Sequence, residues 1–306
     1  MTFWAYALGA AAALPVIREV VRKPVSQRQP VDPEGKFAEL SDGRIYYRWH
    51  GPKDGPIAVC VHGLTTPSFV WDGLIPLLVA QGFRVLSFDL YGRGLSDRPR
   101  GRQTSAFFTS MLSQILRDQE IEGKVTLFGN SMGSAVATCF AAQHPDRVRQ
   151  LVLCVPAGMG HDLGLSARLT KSVPLIGDWL FHMNYPRVLR RGIEAERGLS
   201  STVPGIVDRQ LDELRWRGYL RSILSSIRGV LASPLKEDHR SLCDFKLPVL
   251  AIWGGTDDVI SISCKDRLAQ WNPMAQHILI PEAGHGLIYT HTNAMWDVLS
   301  PKLLMD

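Results

Sequence analysis

A serine, an aspartate and a histidine lie, in that order along the chain, where a hydroxyl nucleophile and its activating partners are expected. Ser131 sits in Gly129-Asn130-Ser131-Met132-Gly133, after the apolar run Val125–Phe128 and before the small-residue stretch Ala135–Ala142. On a sharp strand-to-helix turn of this kind a serine hydroxyl is exposed at the end of a sheet, and the glycines leave room that side chains would fill. The hydroxyl is a poor nucleophile near neutral pH until an imidazole takes its proton and a carboxylate fixes that imidazole's tautomer. Of nine histidines, His285 in Glu282-Ala283-Gly284-His285-Gly286 directly follows the last expected strand, the place where open α/β sheets gather functional groups. His62 also follows a strand, but it precedes a turn glycine, where the useful group is backbone N–H. The other seven read as packing or surface residues. For the acid, Trp253-Gly254-Gly255-Thr256-Asp257-Asp258 puts two carboxylates just beyond a strand, and Asp257 is taken over Asp258.

Three residues so far apart in sequence need a scaffold that brings strand ends together. Ile57–Val61 is a continuous apolar run of the kind buried in the middle of a parallel sheet. Phe83–Phe88, residues 124–128, Gln150–Val155, Val249–Trp253 and His277–Ile280 read as further strands. Helical spacing separates them over Phe69–Ala80 and residues 104–120, 135–142 and 263–271, and a last helix starts near Asn293. Phe37–Leu40 and Ile45–Trp49 flank Ser41-Asp42-Gly43-Arg44, a hairpin signal. The alternation predicts an α/β fold with a mostly parallel, doubly wound sheet. Between Ala157 and Leu242 no strand-like run appears, and short helical segments are broken by Pro174, Pro186, Pro204 and Pro234. The expected organisation is a core of residues 36–156 and 243–306 with a helical cap inserted at residues 157–242.

Five pieces of the sequence together resemble the α/β-hydrolase superfamily, in the branch with a cap between the sixth and seventh strands. They are His62-Gly63 after the third strand, Asp89-x-x-Gly92-x-Gly94-x-Ser96, the turn at 129–133, Gly254-x-x-Asp257 and Gly284-His285. They run in family order over about residues 37–300, and the first 35 residues lie outside the resemblance. The resemblance implies a triad of Ser131, Asp257 and His285, an oxyanion hole made by the backbone N–H groups of Leu64 and Met132, and no metal or organic cofactor. Serine at the turn sets the chain apart from relatives with aspartate there, the epoxide hydrolases and haloalkane dehalogenases. The implied reaction is acyl transfer to Ser131 followed by hydrolysis of a small-molecule or lipid ester, as in the membrane-associated monoacylglycerol lipases. Cap residues Leu175, Ile176, Trp179, Leu180, Phe181 and Met183 are expected either to line an acyl pocket or to pack the cap. The alternative activity is that of the carbon–carbon bond hydrolases, which share Gly-Asn-Ser-Met-Gly. Against it, Leu64-Thr65-Thr66-Pro67 lacks the glycine-rich continuation usual there, although Trp216-Arg217 offers a cation to a carboxylate-bearing substrate. A non-catalytic binding module on the same scaffold is a third reading, and no triad residue is missing to support it.

Composition narrows the partners. A formal charge of +5 and a pI near 9.0 invite a nucleic-acid reading. The basic residues are spread out, however, and Arg187, Arg190 and Arg191, like Arg215, Arg217 and Arg221, recur at helical spacing with acids between or beside them, the pattern of a solvated helix face. Nucleic acid is therefore not expected, and mild attraction to anionic lipid is. The five cysteines form no C-x-x-C pair and are compatible with a reducing compartment. Thr2–Ile17 carries no charge, and Arg18, Arg22, Lys23 and Arg28 follow with only Glu19 against them. Sixteen helical residues span about 24 Å, short of a hydrocarbon core of roughly 30 Å, so a full span needs Val20 and Val21 as well. Residues 1–23 are expected to associate with a membrane, as a span or an interfacial helix, leaving the downstream domain cytoplasmic by the positive-inside rule. The alternatives are a cleaved signal peptide, with a secreted or periplasmic enzyme, and a helix packed on the protein's own surface. Pro24, Pro30 and Pro33 mark a linker up to residue 35.

Overall fold

The computed structural model of the chain describes residues 2–30, 32–160 and 175–305. Eight strands form one sheet: β1 (Lys36–Leu40), β2 (Gly43–His50), β3 (Ile57–Val61), β4 (Arg84–Phe88), β5 (Val125–Asn130), β6 (Val148–Cys154), β7 (Val249–Gly254) and β8 (Gln276–Ile280), in the order β1-β2-β4-β3-β5-β6-β7-β8. β2 runs antiparallel to β1 and β4, and every other pairing is parallel. β5 is buried at every position, which is why its sequence reads as an unbroken apolar run rather than an alternation. The alternation is present in space: Val59, Val61 and Leu127 enter the core on one face, and Ala58, Cys60 and Phe128 the core on the other.

Helices α3 (Ser105–Asp118) and α4 (Met132–Gln143) cover the first face, and α2 (Ile75–Ala80) the second. α4 is buried from Met132 to Ala141, and its glycine, serine and alanines let it lie close against the sheet. The expected helix over Phe69–Ala80 is divided into a 3-10 turn at Ser68–Trp71 and α2, with Gly73 between them.

Between β6 and β7 come α5 (Ile176–Ala195), α6 (Ile206–Glu213), α7 (Tyr219–Ile227) and α8 (Lys236–Asp244). Phe181, Leu214, Tyr219, Ile223 and Leu224 give this insert an apolar cluster of its own, against which Leu64 packs. The expected limit of the insert, Leu242, falls inside α8, whose side chain at that position joins the core beside α4. After β7 come α9 (Ser263–Trp271), α10 (Leu287–Thr290) and α11 (Thr292–Leu299), the last two on the second face of the sheet. Pro174 and His161 lie outside the described residues.

Helix α1 (Thr2–Val20) packs on α5. The backbone beyond it is clipped to the segment before α7: Lys23 N–H donates to Arg215 O (3.2 Å) and Arg217 N–H to Lys23 O (2.8 Å). Arg22 Nε donates to Leu214 O at 3.0 Å, and Glu19 accepts from Gly218 N–H. The expectation of a membrane span is not met, because among the described residues no helix is long and apolar enough to cross a membrane. Val21 falls beyond the end of α1, and the charged residues at that end, Arg18 and Glu19, are engaged by Met183 and Gly218. Docking on the protein's own surface is the contact the N-terminal helix makes.

Candidate active site

The turn between β5 and α4 holds Ser131 at φ 52° and ψ −117°, a region where a residue with a side chain is strained. Its surroundings over-determine that conformation. Ser131 N–H donates to Cys154 O of β6 (2.9 Å), and Ser131 O accepts from Ser134 N–H (2.9 Å) and Ala157 N–H (3.2 Å). A Cβ on Gly133 would lie 2.1 Å from Val61 O, and one on Gly129 would lie 2.5 Å from Ser134 Cα. Both glycines are therefore demanded by close approach.

His285, in the loop after β8, reaches Ser131 across the sheet edge. Its Nε2 lies 3.1 Å from Ser131 Oγ, and its Nδ1 lies 2.9 Å from Asp257 Oδ2. Asp257 leaves the end of β7, and its Oδ1 accepts the N–H groups of Val259 and Ile260, both at 2.8 Å. These bonds hold the carboxylate, whose side chain is 1% exposed against 26% for the imidazole. Asp258 is exposed. With Nδ1–H donated to the carboxylate, the Nε2 lone pair faces the serine hydroxyl, the arrangement a general base needs.

Met132 is the first residue of α4, so its N–H has no intrahelical acceptor. Gly63, just before Leu64, lies against the turn, since a Cβ on it would sit 3.4 Å from Ser131 Cβ. Among the described residues no protein acceptor meets the N–H of Leu64 or of Met132. Strand ends, strained turn and loop thus converge on one hydroxyl, and a sequence model of the alpha/beta hydrolase fold matches residues 56–190, the span that contains it. The chain has the α/β-hydrolase fold. Among its relatives, a 2-hydroxy-6-oxononadienedioate/2-hydroxy-6-oxononatrienedioate hydrolase of Cupriavidus pinatubonensis is 28% identical over 85% of this chain and 91% of its own. A pimeloyl-acyl-carrier-protein methyl ester esterase of Nitrosomonas europaea is 28% identical over 76% of this chain and 89% of its own. An esterase from Exiguobacterium antarcticum shares the fold with a TM-score of 0.72 at 20% identity, covering 88% of this chain and 98% of that one.

Several side chains around this site do work that the sequence did not assign to them. His62 is fully buried; its Nδ1–H donates to Gly63 O, and its Nε2 accepts from Leu90 N–H, both at 2.8 Å. Burial pulls its pKa down to about 4, so the ring is neutral and clamps the loop after β3 to the loop after β4. Asp89 accepts Ser68 N–H and Leu95 N–H at 2.9 Å each, shaping the turn at 89–96. Arg93 is fully buried and donates to Leu64 O at 3.0 Å. The signal for it was a charged residue between two turn glycines, but its partners come from four distant segments.

The expected pocket residues divide. Leu175 and Ile176 are 81% and 65% exposed, whereas Phe181 is buried and stacks on Tyr185 at 4.4 Å inside the insert. Trp216 and Arg217 belong to the N-terminal clip: the indole donates to Asp212 at 2.8 Å, and Arg217 donates to the carbonyls of Val20 and Arg22. Arg217, considered for a substrate carboxylate, is exposed and has its Nη2 engaged by the N-terminal backbone. A cavity of about 450 Å³ lined by Arg28, Arg48, Phe69, Arg209 and Trp216 contains no triad residue. Its arginines are paired with carboxylates, Arg48 with Asp72 (2.6 Å), Arg209 with Asp72 (2.9 Å) and Arg28 with Asp212 (3.3 Å), so it presents balanced charge. Among the described residues no group of three or more His, Cys, Asp or Glu is placed to hold a metal ion.

Proposed function

We propose that this α/β hydrolase cleaves carboxylic esters through an acyl-enzyme on Ser131. The observation that carries the reading is the unbroken chain from the held Asp257 carboxylate through His285 to a hydroxyl on a strained turn. In this reading Ser131 Oγ attacks the ester carbonyl while His285 Nε2 takes its proton. The tetrahedral oxygen is met by the N–H groups of Leu64 and Met132. His285 returns the proton to the departing alkoxide, and water, deprotonated by the same nitrogen, releases the acid. Asp257 stays ionised and stabilises the imidazolium formed on the way. Preorganised donors of this kind lower the barrier by roughly 3 to 4 kcal/mol each. The insert between β6 and β7 serves as the cap that closes over the acyl group.

The Cupriavidus relative favours a second reading, cleavage of a carbon–carbon bond in a vinylogous diketone by the same residues. The ester reading stands ahead of it, because the cation considered for the substrate carboxylate, Arg217, is held in the N-terminal clip. Two assays separate them. Labelling of Ser131 by a fluorophosphonate is expected in the folded protein, and its absence would remove the serine mechanism. A panel of p-nitrophenyl esters of graded chain length is expected to outpace a vinylogous diketone, and the reverse order would give the second reading precedence.

A further inference from the structure

Two buried side chains grip the loop that carries Leu64, and neither is part of the triad. His62 donates to Gly63 O at 2.8 Å, and Arg93 Nε donates to Leu64 O at 3.0 Å. A trans peptide points its N–H away from its carbonyl, so the bond to Gly63 O turns Leu64 N–H in the opposite direction, while Arg93 fixes the peptide that follows. Both ends of the donor are thereby held.

Arg93 has further attachments. Its Nη1 donates to Tyr91 O (2.9 Å) and Gln103 Oε1 (2.6 Å), and its Nη2 to Ser226 Oγ (2.8 Å) and Ser222 O (3.5 Å) on α7. Nη2 also lies 4.0 Å from Met132 Sδ. Every one of these acceptors is neutral, and among the described residues no carboxylate forms an ion pair with Arg93. A fully desolvated cation without a counter-ion is costly, and an apolar side chain would fill the same space with less penalty. Stability does not account for the charge at this position.

We propose that Arg93 is a positioning residue of the oxyanion hole, joining the Leu64 loop to α7 of the insert and setting a positive charge behind both donors, Leu64 and Met132. The proposal rests on the acyl-enzyme reading above. An ordered cation there strengthens the field at the oxygen that turns negative in the tetrahedral intermediate, with no reorganisation at that step. It also makes the aim of Leu64 N–H depend on the seating of α7.

The test compares Arg93→Gln, Arg93→Lys and Ser226→Ala with the parent protein. Unfolding midpoint, kcat and KM on a p-nitrophenyl ester, and inhibition by phenylboronic acid are measured; the tetrahedral boronate formed on Ser131 carries the oxyanion charge. Arg93→Gln is expected to lower kcat about 100-fold with KM within about threefold, and to weaken the boronate by a similar factor. Arg93→Lys recovers most of both losses, and Ser226→Ala falls between. Parental kcat and boronate affinity in Arg93→Gln, or an Arg93→Lys no better than Arg93→Gln, would overturn the proposal. If Arg93→Gln does not fold, parental kcat in Ser226→Ala overturns it instead. Ser131→Ala tells the two readings apart: if it is inactive while Arg93→Gln is unaffected, only this proposal fails, and if it still turns over, both fail.

Discussion

At the scale of single residues, Ser131 combines two properties that mutation can separate, a reactive hydroxyl and a strained backbone. A φ of 52° costs a side-chain-bearing residue of order 1–3 kcal/mol. Ser131→Ala removes the hydroxyl and keeps the strain; Ser131→Gly removes both. Both are expected to lose nearly all esterase turnover, while Ser131→Gly alone raises the urea midpoint, by about 1 kcal/mol in stability. Equal midpoints for the two would mean that the turn stores no strain. Asp257→Asn is expected to retain the bonds from Val259 and Ile260 through its carbonyl oxygen. Its amide would then face His285 Nδ1 and force the other tautomer, lowering kcat by about 10³–10⁴. Asp258→Asn, at an exposed site, should stay within about twofold; the opposite ranking would reassign the acid. Ser131, Asp257 and His285 were legible because each follows a strand within a glycine-bearing loop. Arg93 was not, since its role is defined by Leu64, Gln103, Ser222 and Ser226, which only the folded chain brings together.

Between elements, the site depends on how closely α4 can approach the end of β3. Gly133 sets that distance. Gly133→Ala would drive a methyl against Val61 O at 2.1 Å and His62 O at 2.5 Å, both backbone atoms that cannot rotate away. A loss of about 1–3 kcal/mol or more in stability is expected, with activity falling further than stability because Ser131 and Met132 shift with the helix. An unchanged urea midpoint would show that the two elements have slack. The N-terminal linker is held in a different way, by charge. Arg28 is ion-paired with Glu213 of α6, which is fully buried, also accepts Gly94 N–H at 3.1 Å and has Arg98 at 3.9 Å. Arg28→Ala would leave that carboxylate with Arg98 and one N–H, and should cost about 3 kcal/mol, the lower end of the range for breaking buried pairs. Hydrogen exchange at residues 213–218 reads the result, and protection equal to that of the parent would mean the linker merely lies on the insert. The α/β rhythm of the core was legible because burial on two faces writes itself locally into apolar runs. The docking of α1 was not, because Glu19 and its partner Gly218 are 199 residues apart and neither segment carries a local sign of the other.

For the whole molecule, the buried histidines set how it responds to acid. Burial lowers the pKa of His62 to about 4 and that of His239 to about 3, against about 6.5 in an unfolded chain. Below pH 6.5 the unfolded chain takes up protons that the folded one refuses, so stability falls as pH drops towards 4, by about 1.4 kcal/mol per pH unit for each ring. His50 and His277, whose pKa values burial also lowers, act in the same direction. Glu196 and Asp238 oppose them, because burial raises their carboxyl pKa values and the folded state is protonated first. The loss of stability on going below pH 6.5 is the histidines' contribution. His239 offers a clean way to measure its share, because it is fully buried beside Trp271 and neither ring nitrogen has a hydrogen-bond partner among the described residues. His239→Leu sacrifices no bond, should leave stability at pH 7.5 within about 1 kcal/mol, and should remove one ring's contribution to the acid slope. Urea midpoints at pH 7.5, 6 and 5, with the slope of unfolding against urea held constant, give the comparison. A parent protein whose midpoint does not move over that interval would mean that both rings gain protons without unfolding. The His62 clamp on Gly63 would then open in acid while the fold persisted, and ester turnover would fall at a pH where the midpoint had not moved.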